Sequence, residues 1–517
     1  MIFDATMLNI GREKQLLVDD LLIESAENVC RIWHEPARVA ENPLLFKDQP
    51  WEHVTDFEVN TWQVLRDPKD RLFKCIYGDY YKPELRPEDT VMGTSALHML
   101  YAESEDGIHW RKPLFDIRKF EGKPTNIVIP FGYDPGLILD PHEKDETKRF
   151  KIIYNELIPG RDADVATVVA ATSGDGIHWE RLPDHPIMGS QGSRLDDVII
   201  MRYDPYGRIF IMTTRHYDMY AVARNLDNPV LSQFCPPYYP LDWRRMNKRR
   251  IWQAESADFI HWTDPYPVLP IEDDADDLDE TFYGLCPYRA GNITMGFLNV
   301  MYYVPNTLRV RLVYTRNGKI WHHLNKRQPF LNPAGDGTWD AYYAGISSPP
   351  VEVGDELYIY YGGACNHHDW WITGAREGLN VPEATDINKV AYALGLAKLR
   401  LDGFCSLAAG PARRGILITR PVISDGKQLV VNAKCQGAGS LAAEIVNLKD
   451  EVFPGYSREE CDVFTGDSVR HVFSWRGKTE LPPAATGRAE YPKPEFERFR
   501  KIRFYMDRVE LYALTLA

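Results

Sequence analysis

A short motif returns along this chain and restricts its fold more than any other feature. SEDGIHW ends at Trp110, SGDGIHW at Trp179, SADFIHW at Trp262 and TRNGKIW at Trp321, with a worn fifth copy, LRLDGF, around Asp402 and Gly403. Each copy follows a stretch of strand character (LHMLYAE, TVVAAT, RIWQAE, RVRLVY and YALGLAKL). The Asp-Gly or Asn-Gly pair at the centre of most copies is a strong local signal for a tight hairpin turn. Each copy therefore reads as a hairpin.

A second hairpin precedes each of these: NTWQVLRDPKDRLFKCIY, GLILDPHEKDETKRFKIIY, VIIMRYDPYGRIFIMTT, FYGLCPYRAGNITMGFLNVMY and SSPPVEVGDELYIYYGG. In the first three the turn opens with Asp-Pro and closes with Arg ahead of an aromatic residue. The Asp side chain accepts hydrogen bonds from the turn backbone and Pro presets its dihedral. Two hairpins make a four-stranded unit, recurring at intervals of roughly 60 to 85 residues, slightly longer than common propeller-blade periods. Five such units, over residues 36–410, predict an all-β fold, a five-bladed β-propeller, because radial repetition hides most sheet edges. After Gly410 the connector GPARRG leads into alternating apolar strands, which predict a β-sandwich over residues 411–517. Residues 1–35 are expected to supply strands that pack at the seam of the two units.

A length of 517 residues fits two or three compact units, and 44% hydrophobic with 26% charged residues is an ordinary globular composition. The net charge of −14 argues against nucleic acid, whose binding is driven by clustered Lys and Arg. A small neutral carbohydrate fits better, since 13 Trp and 28 Tyr offer flat platforms for sugar rings. The one basic run, Arg244, Arg245, Lys248, Arg249 and Arg250, reads as solvated surface unless it faces the channel, where it could hold phosphate or sulfate. The opening MIFDATMLNIGREKQ lacks a basic segment followed by an apolar one, and no later segment approaches a membrane span. Eight scattered cysteines read as thiols of a reducing cytosol. A cytoplasmic protein with no membrane partner is expected; nothing bears on its oligomeric state.

In a propeller the innermost strand of each blade lines the channel, so residues just before it rim the mouth. Those positions carry Asp56 and Glu58, Asp134, Asp196 and Asp197, Asp279 and Glu280, and Asp340. Pointing several carboxylates at one axis costs stability through repulsion and desolvation, a cost usually met at functional sites. Glycoside hydrolysis needs such a set: a neutral carboxylic acid to protonate the leaving oxygen, and a carboxylate to activate water or attack the anomeric carbon. Trp51, Trp62, Arg194, Tyr283 and Trp339 lie close by in sequence as platforms and hydroxyl partners. His367, His368 and Asp369 follow the second strand of the fifth blade, as a sugar clamp, a second proton donor or metal ligands. Without a His-x-x-x-His pair the metal reading is the weaker one. No cofactor is expected; a structural divalent cation in the channel is the one ion the architecture admits. His322 and His323 are expected on the surface of an outer hairpin.

The chain resembles the five-bladed propeller glycosidases of families 32, 43 and 68, and in particular the bacterial proteins labelled glycosyl hydrolase family 32-like. The resemblance rests on the repeated S-x-D-G-x-x-W hairpins, the opening LLVDDLLIES followed by HEP and ENPLLF, the segment PWE, and the tail RFYMDRVELYAL, and it covers nearly the whole chain. It implies a nucleophile or base at the start of the first blade, a second Asp from a middle blade and a Glu acid from a later one, roles that fall by position on Asp56, Asp196 and Glu280. Family 32's W-x-N-D-P-N-G, R-D-P and E-C patterns are not present in their usual contexts. The expected activity is hydrolysis of a terminal sugar, a furanoside by the preference of those families. A propeller-type glycoside phosphorylase and a non-catalytic carbohydrate-binding propeller are the alternatives.

Overall fold

The computed structural model describes residues 7–81, 96–157, 166–183, 187–188, 199–205, 207–218, 248–269, 272, 275–277, 279–303, 305–368, 370–371, 381–483 and 499–517. They are almost entirely β-structure arranged in curled antiparallel sheets. Among them, four four-stranded meanders follow one another, and a fifth unit pairs Tyr343–Gly345, Glu356–Ala364 and Tyr392–Arg400 with a strand from the N-terminal side. The first runs Trp62–Arg66, Phe73–Tyr81, Ala96–Ser104 and Trp110–Arg111. The second runs Gly132–Leu139, Phe150–Leu157, Ala166–Ser173 and Glu180–Arg181. The third comprises Ile200–Asp204, Ile209–Asp218, Lys248–Ser256 and His261–Trp262. The fourth comprises Glu280–Ala290, Ile293–Tyr302, Thr307–Thr315 and His322–His323.

The repeated motif builds its loop from side chains. Ser104 Oγ accepts the Gly107 N–H, and Asp106 Oδ1 accepts those of Ile108 and His109. Ser173 with Asp175, Ser256 with Asp258, and Thr315 with Asn317 repeat the arrangement. The first of these hairpins is wider than a two-residue turn, because Trp110 is the residue opposite Ser104. The loop can be that wide because the Ser and Asp oxygens satisfy its N–H groups.

The fifth unit departs from expectation at the worn motif. Strand Tyr392–Arg400 turns at Asp402 but does not fold back on itself; the next strand, Cys405–Ala409, pairs with Cys30–Trp33 and Lys501–Leu516 in another sheet. The fourth strand of this unit is Ala37–Arg38, which lies beside Ala397 and Lys398. The motif stops working here because LRLDGF has Arg400 where the other copies have a loop-capping Ser or Thr. His323 also departs from its surface assignment: it is half-buried against Phe282, whereas His322 is exposed.

Period-2 alternation sends one face of each meander toward the unit before it and the other toward the unit after it. Ile76, Met99 and Tyr101 of the first unit pack with Leu137, Ile152 and Val169 of the second. Ile153 and Ala170 of the second meet Met201, Phe210 and Met212 of the third. The sequence continues through Ile251 with Phe282 and Leu298, and through Phe297 and Val310 with Ile359 and Ala397. Finally Tyr343, Tyr360 and Leu394 of the fifth unit pack on Val64, Cys75 and Tyr77 of the first, so the order closes on itself. The closing contact is tight: a Cβ on Gly362 would stand 1.7 Å from the Phe57 carbonyl oxygen.

An eight-stranded sheet joins the two ends of the chain. Its long strands Leu429–Val446 and Lys501–Leu516 pair with each other, and Ile23–Glu27, Cys30–Trp33 and Gln15–Leu16 add to it from the N-terminal side. Leu441, Phe473, Trp475, Phe504 and Leu514 fill its core. No helix among the described residues is long and apolar enough to cross a membrane.

Candidate functional site

The loop between Asp56 and Trp62 touches residues of the fifth unit and the entrance to the third. Thr61 Oγ1 donates to the Asp56 and Glu58 carbonyls at 2.9 and 3.1 Å, which fixes the loop internally. The loop is then tied to its neighbours. The Val59 and Asn60 N–H groups donate to Tyr343 Oη (2.6 Å) and Ser347 Oγ (2.5 Å) of the fifth unit. Asn60, in the left-handed region at φ 82°, accepts the Ile199 N–H on its Oδ1 at 2.6 Å, at the entrance to the third unit. A non-glycine residue takes that conformation where surrounding contacts fix it.

This loop presents Glu58. Its Oε1 lies 3.1 Å from His368 Nδ1 and accepts the Tyr392 hydroxyl, both from the fifth unit. Asp56, 2% exposed, accepts the Glu58 N–H on Oδ1 at 2.9 Å and so sets the direction of the next carboxylate. The His368 ring meets Tyr283 of the fourth unit edge-to-face at 4.7 Å. Arg215 and Arg249 of the third unit stand over the same Tyr283 ring at 4.3 and 5.0 Å. Residues from the first, third, fourth and fifth units thus form one continuous cluster. Burial, reinforced by the charge of Glu58, drives the Tyr343 and Tyr392 hydroxyls well above the ordinary tyrosine range, so both remain protonated hydrogen-bond donors.

A hollow of about 290 Å³ opens beside the cluster, lined by Thr55, Trp339, Cys365 and Tyr392 together with Phe46 and Lys47. Two residues after Cys365 in the chain, the His367 ring stacks with Tyr342 (4.0 Å) and Trp370 (3.8 Å), and its Nδ1 meets Glu383 at 2.6 Å. The adjacent histidines therefore serve different carboxylates, His367 with Glu383 and His368 with Glu58. Among the described residues no three His, Cys, Asp or Glu side chains group as a metal-ligand set.

The expected site residues do not all belong to this cluster. Asp56, Glu58, Tyr283 and His368 do, and Trp339 lines the hollow. Glu280 does not: fully buried, it receives Arg311 Nη1 at 3.0 Å and the Tyr302 hydroxyl at 3.3 Å within its own sheet, so the position expected to supply the acid holds an ion pair. Trp62 is not a platform, because its ring is wholly buried and its indole N–H donates to the Phe57 carbonyl. Trp51 is likewise buried, with its N–H on Asn126 Oδ1 at 2.7 Å. Asp340 forms a buried ion pair with Arg38 at 2.8 Å and accepts the Tyr361 hydroxyl at 3.0 Å. Asp134, at φ 56°, receives Asn155 Nδ2 at 3.4 Å in the second unit. Asp196, Asp197, Arg194, Arg244, Arg245 and Asp369 lie outside the described residues.

Sequence reasoning missed Tyr343, Tyr392 and Arg215, each of which reads as an ordinary strand residue. Arg249 had a signal, since it ends the basic run.

Neither a protein-family model nor a curated protein matches the sequence. Among solved structures, the chain is similar to a β-1,2-mannobiose phosphorylase from Listeria innocua at 12% identity, over 72% of this chain and 97% of that one, with a TM-score of 0.44. It is also similar to a glycosyl hydrolase from Bacteroides ovatus (12%, over 75% and 97%, TM-score 0.40). A third is an N-acetylgalactosamine deacetylase from F. plautii (13%, over 73% and 97%, TM-score 0.41).

Proposed function

We propose that the five units are the blades of a closed β-propeller and that the chain is a carbohydrate-active enzyme cleaving the glycosidic bond of a terminal sugar. The observation that carries this reading is the convergence on Glu58: a carboxylate oriented by His368 and Tyr392, reinforced from behind by Asp56, and joined through Tyr283 to cations of a further blade. Glu58 is held from two units, and its partner His368 is packed in turn against a third; a reacting group needs such positioning. Glu58 serves as the proton-transferring group at the glycosidic oxygen, and Asp56 is its positioning residue. Asp196, placed by chain order at the entrance to the third blade, is the second carboxylate of the reaction.

Arg215 and Arg249 favour a second reading. Two guanidinium groups stand over the Tyr283 ring, whose edge-to-face partner His368 contacts Glu58, and so bring positive charge into the same cluster. Inorganic phosphate would be held there as the attacking group in place of water, making the reaction a phosphorolysis.

Aryl pentosides, hexosides and fructosides, incubated with and without phosphate, test both readings. Cleavage of at least one glycoside by the wild-type chain, reduced at least 100-fold in Glu58→Gln, is the expected result. Turnover that requires phosphate and is lost in Arg249→Met selects phosphorolysis. Full activity in Glu58→Gln overturns the assignment, and failure of the wild type to cleave any glycoside while still binding sugars leaves a carbohydrate-binding propeller.

A further inference from the structure

A cavity of about 670 Å³ is separate from the carboxylate cluster. The N-terminal segment, through Leu8, Ile10, Gln15 and Leu21, forms one wall; the hairpin ends of the third and fourth units form the other. Three arginines line it: Arg202, Arg289 and Arg316. Two have carboxylate partners. Arg316 grips Asp19 with both Nε (3.2 Å) and Nη2 (2.7 Å), and Arg289 Nη2 reaches Glu13 at 3.2 Å.

Arg202 differs from them. It sits inside strand Ile200–Asp204 with its Nη2 near Gly318, which it would meet at 3.4 Å if that glycine carried a Cβ. Its Nε is buried without a hydrogen-bond partner. Among the described residues, no acceptor or carboxylate lies within hydrogen-bonding or ion-pairing distance of its guanidinium; Asp204, which also lines the cavity, and Glu255 act on it only from further away. Holding a guanidinium out of water with no counter-charge in contact is unfavourable, and folds usually accept such a cost at functional sites. The guanidinium fork matches the paired oxygens of a phosphate or carboxylate. The cavity is in the size range of small-molecule sites and is larger than a bare phosphate requires.

We infer that this cavity is a second ligand site, in which Arg202 pairs with the oxyanion of a small molecule, a phosphate or carboxylate carried on a polyol of sugar size, and Arg289 and Tyr288 flank it. The site does not depend on the chemistry proposed at Glu58. Because one wall is the N-terminal segment and the other belongs to the repeated units, an occupant ties the two together.

The test uses the full-length chain and three probes: inorganic phosphate, glucose 6-phosphate and glucuronate, each titrated calorimetrically against sodium chloride of matched ionic strength. At least one probe is expected to bind the wild type, to weaken tenfold or more in Arg202→Met and to recover partly in Arg202→Lys. Preference for glucose 6-phosphate over glucuronate identifies a phosphate ligand, and the reverse a carboxylate. Arginine labelling by phenylglyoxal, mapped by mass spectrometry on the wild-type chain, needs no variant: the bound probe is expected to slow modification of Arg202. The inference is overturned if no probe binds beyond the chloride control, if Arg202 labels equally fast with the probe present, or if binding survives Arg202→Met and disappears in Arg249→Met.

Discussion

Replacing Asp67 by Asn is expected to destabilise the protein by about 3 kcal/mol, near the lower end of the range for breaking a buried ion pair from one side. Asp67 opens the first Asp-Pro turn and is completely buried. Its carboxylate receives Arg149 through Nη1 (2.6 Å) and Nη2 (2.5 Å) and Lys74 through Nζ (2.8 Å). Arg149 belongs to the second unit, so this pair ties two neighbouring meanders. An Asn at position 67 keeps the acceptor for the Lys69 N–H, now at 3.0 Å, so the turn survives and only the charge is lost. Lys74 retains Asp70 at 2.8 Å, whereas Arg149 has no other carboxylate partner among the described residues, and this asymmetry places the cost toward the lower end. Urea unfolding followed by tryptophan fluorescence measures it, with Arg149→Met and the double variant completing a cycle. Acid supplies a second readout. Burial alone would raise the Asp67 carboxyl, but the hydrogen bonds from Arg149 and Lys74 outweigh it and leave the group well below the usual carboxylate range. A carboxyl lowered in the folded state gives stability that is present above its unfolded value of about 3.9 and is lost as pH falls below it. The difference between wild type and Asp67→Asn should therefore narrow below about pH 4. A cost under about 1 kcal/mol, or single effects that simply add in the double variant, would refute the coupling.

Asp56→Asn should retain the fold and lower glycoside cleavage less than Glu58→Gln, because it loosens the Glu58 N–H contact without removing the reacting oxygen; steady-state kinetics on the best aryl glycoside compare them. Gly362→Ala should open the seam between the fifth and first units, since its Cβ would lie 1.7 Å from the Phe57 oxygen, and the thermal midpoint should fall by more than that of Gly354→Ala, where nothing lies within 4 Å. Burial holds His98 and His323 down at about 4, so each contributes stability present above the unfolded value of 6.5 and lost as pH falls from 6.5 toward 4, on the order of 3 kcal/mol per group. His323→Phe, which removes a ring with neither nitrogen bonded, should flatten that acid limb in a pH series of urea midpoints.

The parts legible in the sequence are those whose hydrogen bonds are local. The S-x-D-G loops could be read because Ser, Asp and Gly at fixed offsets complete the turn whatever surrounds it. The fourth strand of the fifth unit could not, because Arg38 and Ala397 become neighbours only through closure of the whole chain. The candidate site divides the same way. Acids ahead of inner strands were visible as positions, but a residue number does not say which way a side chain turns. Glu58 faces His368, whereas Glu280 and Asp340, at corresponding positions in their units, face Arg311 and Arg38. The arginine partners lie on other strands and leave no mark near the acids they neutralise.

That division of the acids bears on how one carboxylate could be kept for chemistry. Glu280 and Asp340 each meet an arginine at 3.0 and 2.8 Å, which satisfies their charge and fixes their position within a sheet. The Oε1 of Glu58 is instead oriented by a tyrosine and a histidine, groups that hydrogen-bond a carboxylate without giving it a permanent full counter-charge. The nearest cations in the cluster, Arg215 and Arg249, are set against the Tyr283 ring, one residue removed from Glu58. The Glu58 loop lies where the first and fifth units pack together, pinned through Tyr343 and Ser347, so the packing of those two units also brings His368 and Tyr392 to the carboxylate.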